Sequence, residues 1–282
     1  MLMVVTYVPA SERSAMPHLH NGSVDIYYED HGGDGRPVVL IHGWPLSGES
    51  WNDQVGVLRE AGYRVVTYDR RGFGRSAKPG EASSYDYDTL TTDLDALMRE
   101  LDLHDASLVG FSMGGGEVAR YIENVGEERL HSVVFAAAVA PGLSEALDQD
   151  AVDGMQSDLA KDPGAFYEQF TTNFFTAGDE LKVTEAQRLE AEALAKQADT
   201  HAAVQCIPSW REDFSGGLAK TTVPTLVIHG DSDGIVPIEA SGRKTAEQVS
   251  GAELHTVEGG PHGINVSHAD EFNRALLDFL AR

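Results

Sequence analysis

A mostly parallel α/β sheet, covered by helices on both faces and interrupted by one helical insertion, is the fold class this sequence predicts. Three observations predict it. Short, continuous apolar runs recur at 37–42, 64–69, 107–111, 131–138 and 224–229, and a strand without polar alternation is one buried on both faces. Helical patterns lie between them at 50–61, 87–101 and 114–124, the alternation expected of βαβ units. From about Pro141 to Lys220 the β-like runs stop and helical ones take over.

In chain order, residues 1–16 read as an unstructured N-terminal leader, with Met16 a candidate alternative start. The first strand is expected at 24–30, where apolar and polar residues alternate between turns at Asn21-Gly22 and Gly32-Gly33. The core is then expected over residues 17–140 and 218–282, with a helical cap at 141–217. The Pro141-Gly142 and Ser215-Gly216-Gly217 junctions mark the cap's edges. Within it, helical patterns cover 143–159, 163–175, 184–197 and 201–213. Phe166, Phe170, Phe174 and Phe175 recur at helical spacing; their first role is to pack the cap on the core, with lining a substrate cleft as the alternative.

The bulk properties exclude whole classes of function. With 282 residues and 41% hydrophobic content the chain can build one large core or a core with an insertion. No apolar run approaches the ~20 residues of a membrane span, and the first residues lack a charged start with a long apolar stretch. A net charge of −24 repels nucleic acid and anionic membrane surfaces, so neither is expected as a partner. The single cysteine, Cys206, rules out an internal disulfide and fits a reducing, cytoplasmic setting; it reads as a small buried hydrophobe.

Chemistry concentrates around Ser112, which sits in the pentapeptide Gly110-Phe-Ser-Met-Gly114 between a β-prone run and a helix-compatible one. Strand, sharp turn and helix together lift a serine hydroxyl above the sheet in a strained conformation. A serine hydroxyl needs a histidine to take its proton and a carboxylate to hold that histidine in the useful tautomer. Both follow in the order Ser, Asp, His, in loops after strands: His229-Gly-Asp-Ser-Asp-Gly234 and Gly259-Gly-Pro-His-Gly263. Such loops at strand carboxyl ends are where sites form in open α/β sheets. His262 is the base candidate, since its glycine-rich loop lets an imidazole reach Ser112. His42 and His229, each in Ile-His-Gly, read as structural. Asp231 and Asp233 compete for the carboxylate. For the oxyanion, the backbone N–H groups of Met113 and of Trp44, in the His42-Gly-Trp-Pro45 loop, are the candidate donors. The three arginines in 69–76 read as braces for these loops. No metal-ligand set or nucleotide-binding glycine loop is evident.

Together these motifs resemble the α/β-hydrolase superfamily from about Gly22 to Leu280. His42-Gly-Trp-Pro-Leu-Ser47 with Trp51, Asp69-Arg-Arg-Gly-Phe-Gly-Arg-Ser76, Gly110 to Tyr121, His229 to Pro237 and Gly260-Pro-His-Gly263 look like its cofactor-free haloperoxidase and aryl esterase subgroup. The resemblance implies the α/β-hydrolase fold with an eight-stranded sheet. It selects Asp233 over Asp231, giving a triad of Ser112, Asp233 and His262 with Trp44 and Met113 as oxyanion donors. It also implies ester hydrolysis through an acyl-serine, with peroxide able to replace water, and no haem, metal or other cofactor. The expected partner is a small-molecule ester; homo-oligomerisation stays open. Two other functions fit the same fold: carbon–carbon bond or lactone hydrolysis, and a hydrolase-like protein that binds a small ligand.

Overall fold

A computed structural model describes residues 18–282, so the expected leader at 1–16 lies outside the described residues. The strands are β1 (His18–Asn21), β2 (Val24–Asp30), β3 (Pro37–Ile41), β4 (Arg64–Tyr68), β5 (Ala106–Phe111), β6 (Leu130–Ala136), β7 (Thr176–Ala177), β8 (Glu180–Leu181), β9 (Thr225–Gly230) and β10 (Glu253–Val257). Eight of them form one sheet in the order β1-β2-β4-β3-β5-β6-β9-β10, and β7 and β8 make a separate two-stranded ribbon. β1 pairs with β2 and β2 with β4 antiparallel; every other pair in the large sheet is parallel.

Burial follows directly from the sequence pattern. Every residue of β5 and β9 is buried, and so is all of β3 after Pro37, as required of central strands with helices on both faces. β2, with its polar alternation, has only three buried residues, and the edge strand β10 has one. β1 was not predicted, because in His18-Leu-His-Asn21 only Leu19 faces the core and four residues carry no readable period.

The helices are α1 (Asn52–Glu60), α2 (Tyr87–Glu100), α3 (Met113–Asn124), α4 (Gln149–Lys161), α5 (Pro163–Phe174), α6 (Glu185–Ala195), α7 (Thr200–Cys206), α8 (Ser215–Lys220), α9 (Gly242–Gln248), α10 (Ile264–Ser267) and α11 (Ala269–Leu280). Five of these eleven starts are chemically marked. Asp86, Asp148, Asp162 and Asp199 each accept a backbone N–H three residues on. Thr184 and Gln187 form a reciprocal capping box, which satisfies two otherwise orphaned donors. The Asp148 cap explains why the helix expected from 143 begins at Gln149. The helix expected over 201–213 divides into α7 and a tight turn at Ile207–Arg211, because Pro208 has no N–H to continue the ladder.

α4 to α7 all lie in the excursion between β6 and β9. α8 instead packs against α3, so the expected cap boundary at residue 217 falls inside a helix of the core layer. No described helix is long and apolar enough to cross a membrane. Because β3 lies between β4 and β5, the chain leaves β3 and β5 side by side at their carboxyl ends. Ligands bind at that edge in open sheets. The loops after β3, β5, β9 and β10 all open there.

Candidate active site

Ser112 joins β5 to α3 with φ 53° and ψ −118°, a region disfavoured for a residue with a side chain. The surrounding chain holds it there. Its N–H donates to the Ala136 carbonyl at 2.8 Å, and its own carbonyl accepts from the N–H groups of Gly115 and Val139 at 3.0 and 3.1 Å. The turn also demands the two glycines of the pentapeptide. A Cβ on Gly110 would stand 2.4 Å from the Gly114 carbonyl oxygen, and one on Gly114 would stand 2.5 Å from that of Ile41.

Above this turn the structure brings Ser112 together with two side chains more than a hundred residues further along the chain. Ser112 Oγ lies 2.9 Å from His262 Nε2, and His262 Nδ1 lies 2.7 Å from Asp233 Oδ2. All three are buried. The imidazole is held edge-on by Phe174, with ring centroids 5.0 Å apart at 87°, and tilted against Phe111 at 5.3 Å. Asp233 is anchored from the other side, its Oδ1 accepting the N–H groups of Ile235 and Val236 at 2.9 and 2.8 Å. Burial alone would raise this carboxyl's pKa. The charge and hydrogen bonds of His262, with His229 adding to them, outweigh burial and hold it well below the usual carboxylate range. Asp231 points elsewhere and accepts the Gly259 N–H at 2.8 Å, tying the Asp233 loop to the His262 loop.

His229 is the residue sequence reasoning undervalued. Its Nε2 lies 2.8 Å from the Val236 carbonyl and 3.3 Å from Asp233 Oδ2, so one N–H is shared between the loop and the carboxylate. Its place near the end of the fully buried β9 is indistinguishable from a core position in the sequence. Two further histidines make contacts elsewhere: His255 meets Glu271 and His268 meets Ser267. His42 Nδ1 donates to the Gly43 carbonyl while Nε2 accepts the Arg70 N–H. Burial first, then the Arg70 charge, pushes its pKa well down, so the ring is neutral and serves as a fixed strut.

That strut sets the His42-Gly-Trp-Pro45 loop. Arg70 Nη2 donates to the His42 carbonyl at 2.8 Å, and its Nε meets Glu117 Oε1 at 2.8 Å. Tyr68 Oη donates to Glu117 Oε2 at 2.8 Å. Arg70 and Glu117 are both fully enclosed. Removing one partner of such a buried pair strands a charge, so Glu117→Ala is expected to cost about 3–5 kcal/mol. Urea unfolding of the purified variant measures it, and a loss below ~1 kcal/mol contradicts the brace. The backbone N–H groups of Trp44 and Met113 donate to no protein acceptor among the described residues. Met113 opens α3, where the helix dipole favours negative charge. The Trp44 indole is committed elsewhere, donating to the Ala203 carbonyl at 3.0 Å and standing edge-on to Phe170 and Trp210.

Ser112 opens into a cavity of about 170 Å³ walled by Trp44, Val139, Leu143, Leu147, Trp210 and Val236, with Met155, Phe170 and Ile235 at its outer end. Those last three residues also border a wider vestibule of about 630 Å³ between α4 and α5, rimmed by Asp158, Lys161, Asp162 and Asn173. A third groove of about 510 Å³ runs along β10 and α11, and Ser112 is not among its lining residues. The four cap phenylalanines thus divide: Phe170 lines the cavity, Phe174 supports His262, Phe166 packs on Trp44 and Phe175 on Phe174. No local signal separates these fates, since helical spacing alone is common to all four.

Comparison with known proteins gives one consistent picture. The sequence pattern described as the alpha/beta hydrolase fold matches residues 36–269. A non-heme chloroperoxidase of Kitasatospora aureofaciens is 40% identical, over 91% of this chain and 96% of its own. A bifunctional esterase/perhydrolase of Acinetobacter calcoaceticus is 34% identical over the same shares. Among solved structures, a bromoperoxidase from Bacillus anthracis superposes with a TM-score of 0.90 at 49% identity, covering 95% of this chain and 99% of its own.

Proposed function

The chain belongs to the alpha/beta hydrolase fold family and, within it, to the non-heme haloperoxidases, and from that premise we propose that Ser112, His262 and Asp233 carry its chemistry. The protein is an ester hydrolase with perhydrolase and haloperoxidase activity. Ser112 Oγ attacks the ester carbonyl carbon as His262 Nε2 takes its proton, and Asp233 stabilises the resulting imidazolium. The tetrahedral oxyanion is met by the N–H groups of Trp44 and Met113, each such donor contributing about 3 kcal/mol to the transition state. His262 returns the proton to the departing alkoxide, leaving an acyl-serine. Water then enters, loses a proton to His262 and releases the carboxylic acid. Hydrogen peroxide entering instead releases a peracid, which oxidises halide.

The observation that carries this reading is the continuous contact from Ser112 through His262 to Asp233 at the floor of an apolar cavity. At about 170 Å³ that cavity is smaller than the ~300–1,000 Å³ of a pocket for drug-sized ligands, which supports short-chain substrates. Aryl acetates are therefore expected to exceed aryl octanoates in kcat/KM by at least about tenfold, since overfilling a packed apolar site costs ~1–3 kcal/mol. A p-nitrophenyl ester series, run with and without peroxide and bromide, tests both halves; equal rates across the series would contradict the size reading. A cytoplasmic setting is supported by the single, buried and unpaired Cys206.

A further inference from the structure

We infer that Met155 is a self-oxidation site, struck by the peracid formed at Ser112 before that product leaves the protein; the inference rests on the perhydrolase activity. Met155, on α4, borders both the cavity that holds Ser112 and the vestibule outside it, sharing that position with Phe170, Gly234 and Ile235. A molecule leaving Ser112 through the side where the two spaces share their walls therefore passes the Met155 side chain. Trp44 and Trp210 also face the cavity, but a thioether sulfur is the softer and faster-reacting nucleophile toward a peroxy oxygen.

The other described methionines make internal controls. Met98 is 0% exposed and Met113 1%, and neither lines the cavity. Met155 is only partly buried, packed against the core and lining the cavity.

The step balances without a further reagent. The Met155 sulfur attacks the terminal oxygen of the peracid, an S–O bond forms and the O–O bond breaks. The terminal proton passes to the departing carboxyl oxygen, giving the carboxylic acid and methionine sulfoxide. Sulfur is oxidised by two electrons and the peracid reduced by two. The product places a strong S–O dipole in the apolar neck beside Phe170 and Ile235, where a polar group without a partner is costly. Turnover in peroxide thereby narrows the enzyme's own entrance to substrate and lowers its activity.

The test uses the whole purified chain with an acetate ester, peroxide, and excess free methionine in solution to trap peracid that has escaped. Peptide mass spectrometry follows the gain of one oxygen at each methionine, while a parallel sample without the trap records peracid by bromide oxidation. Confinement raises the local oxidant concentration, so Met155 should oxidise at least about tenfold faster during turnover than with peroxide alone. Ser112→Ala should abolish that difference, and Met98 and Met113 should lag. Met155→Leu, judged against its own starting rate, should lose activity more slowly in peroxide. Peracid release with Met155 unmodified, or modified only when the trap is omitted, overturns the inference, as does a Met155→Leu variant that decays as fast as the parent. Absence of peracid in every arm sinks the perhydrolase reading itself and this one with it.

Discussion

Ser112→Ala is expected to lower kcat/KM for p-nitrophenyl acetate by roughly 10⁴- to 10⁶-fold, the range seen when a triad serine is removed from other serine hydrolases. That corresponds to about 5–8 kcal/mol of lost transition-state stabilisation. The residue left behind cannot form the acyl intermediate, while the Trp44 and Met113 donors and the cavity persist. Their survival is why some catalysis above the water rate should remain. Folding should be unaffected, because alanine meets the same φ of 53° with the same Cβ, and the turn's backbone bonds do not involve the hydroxyl. Unfolding midpoints near those of the parent, together with loss of labelling by a phosphonate probe, would complete the result. Retention of full esterase activity would remove Ser112 from the mechanism.

Asp233→Asn is expected to cost about 10⁴-fold in kcat, as tautomer reversal does in a serine triad. The reason is directional. Oδ1 of residue 233 accepts two backbone N–H groups, so an asparagine keeps its oxygen there and turns its NH₂ toward His262. The imidazole must then accept at Nδ1 and carry its proton on Nε2, facing Ser112. In that tautomer it cannot take the hydroxyl's proton. Stopped-assay kinetics on the pure variant measure the loss, and a fall of less than tenfold would contradict the assignment.

The same substitution has a consequence for stability against pH. The Asp233 carboxyl in the fold is held below its ordinary range, so the folded state binds this proton less readily than the unfolded chain. Its contribution is fully present above the unfolded pKa of about 4 and is lost as pH falls from there toward the folded value. The stability difference between the parent and Asp233→Asn should therefore shrink as pH falls below about 4. Urea midpoints at several pH values read it, and a difference that grows on acidification would have the wrong sign.

Much of this was legible in the sequence because it depends on local chemistry. Continuous apolar runs marked β3, β5 and β9. The glycines around Ser112 announced a turn too crowded for any Cβ, and the order of Ser112, Asp233 and His262 matched loops at strand ends. The helix capped by Asp148 begins at Gln149, six residues later than its apolar pattern suggested. The leader lies outside what the structure describes, and the cap boundary at 217 proved to sit within α8, because a glycine-rich stretch can open a helix as readily as a loop.

What the sequence determined by itself, then, is a short set of candidates for the chemistry, Ser112, His262 and either Asp231 or Asp233, since strained turns, strand-end loops and general bases leave short-range signatures. Only the tertiary structure decided the shape of the site. It enlisted His229 behind Asp233, sorted four equivalent phenylalanines into four different jobs, and set Met155 at the mouth of the Ser112 cavity. The last two outcomes depend on where α4 and α5 sit around the Ser112 cavity. That placement is fixed by the packing of many side chains distant in the chain, and periodicity records only which face of a helix is buried, not what it is buried against.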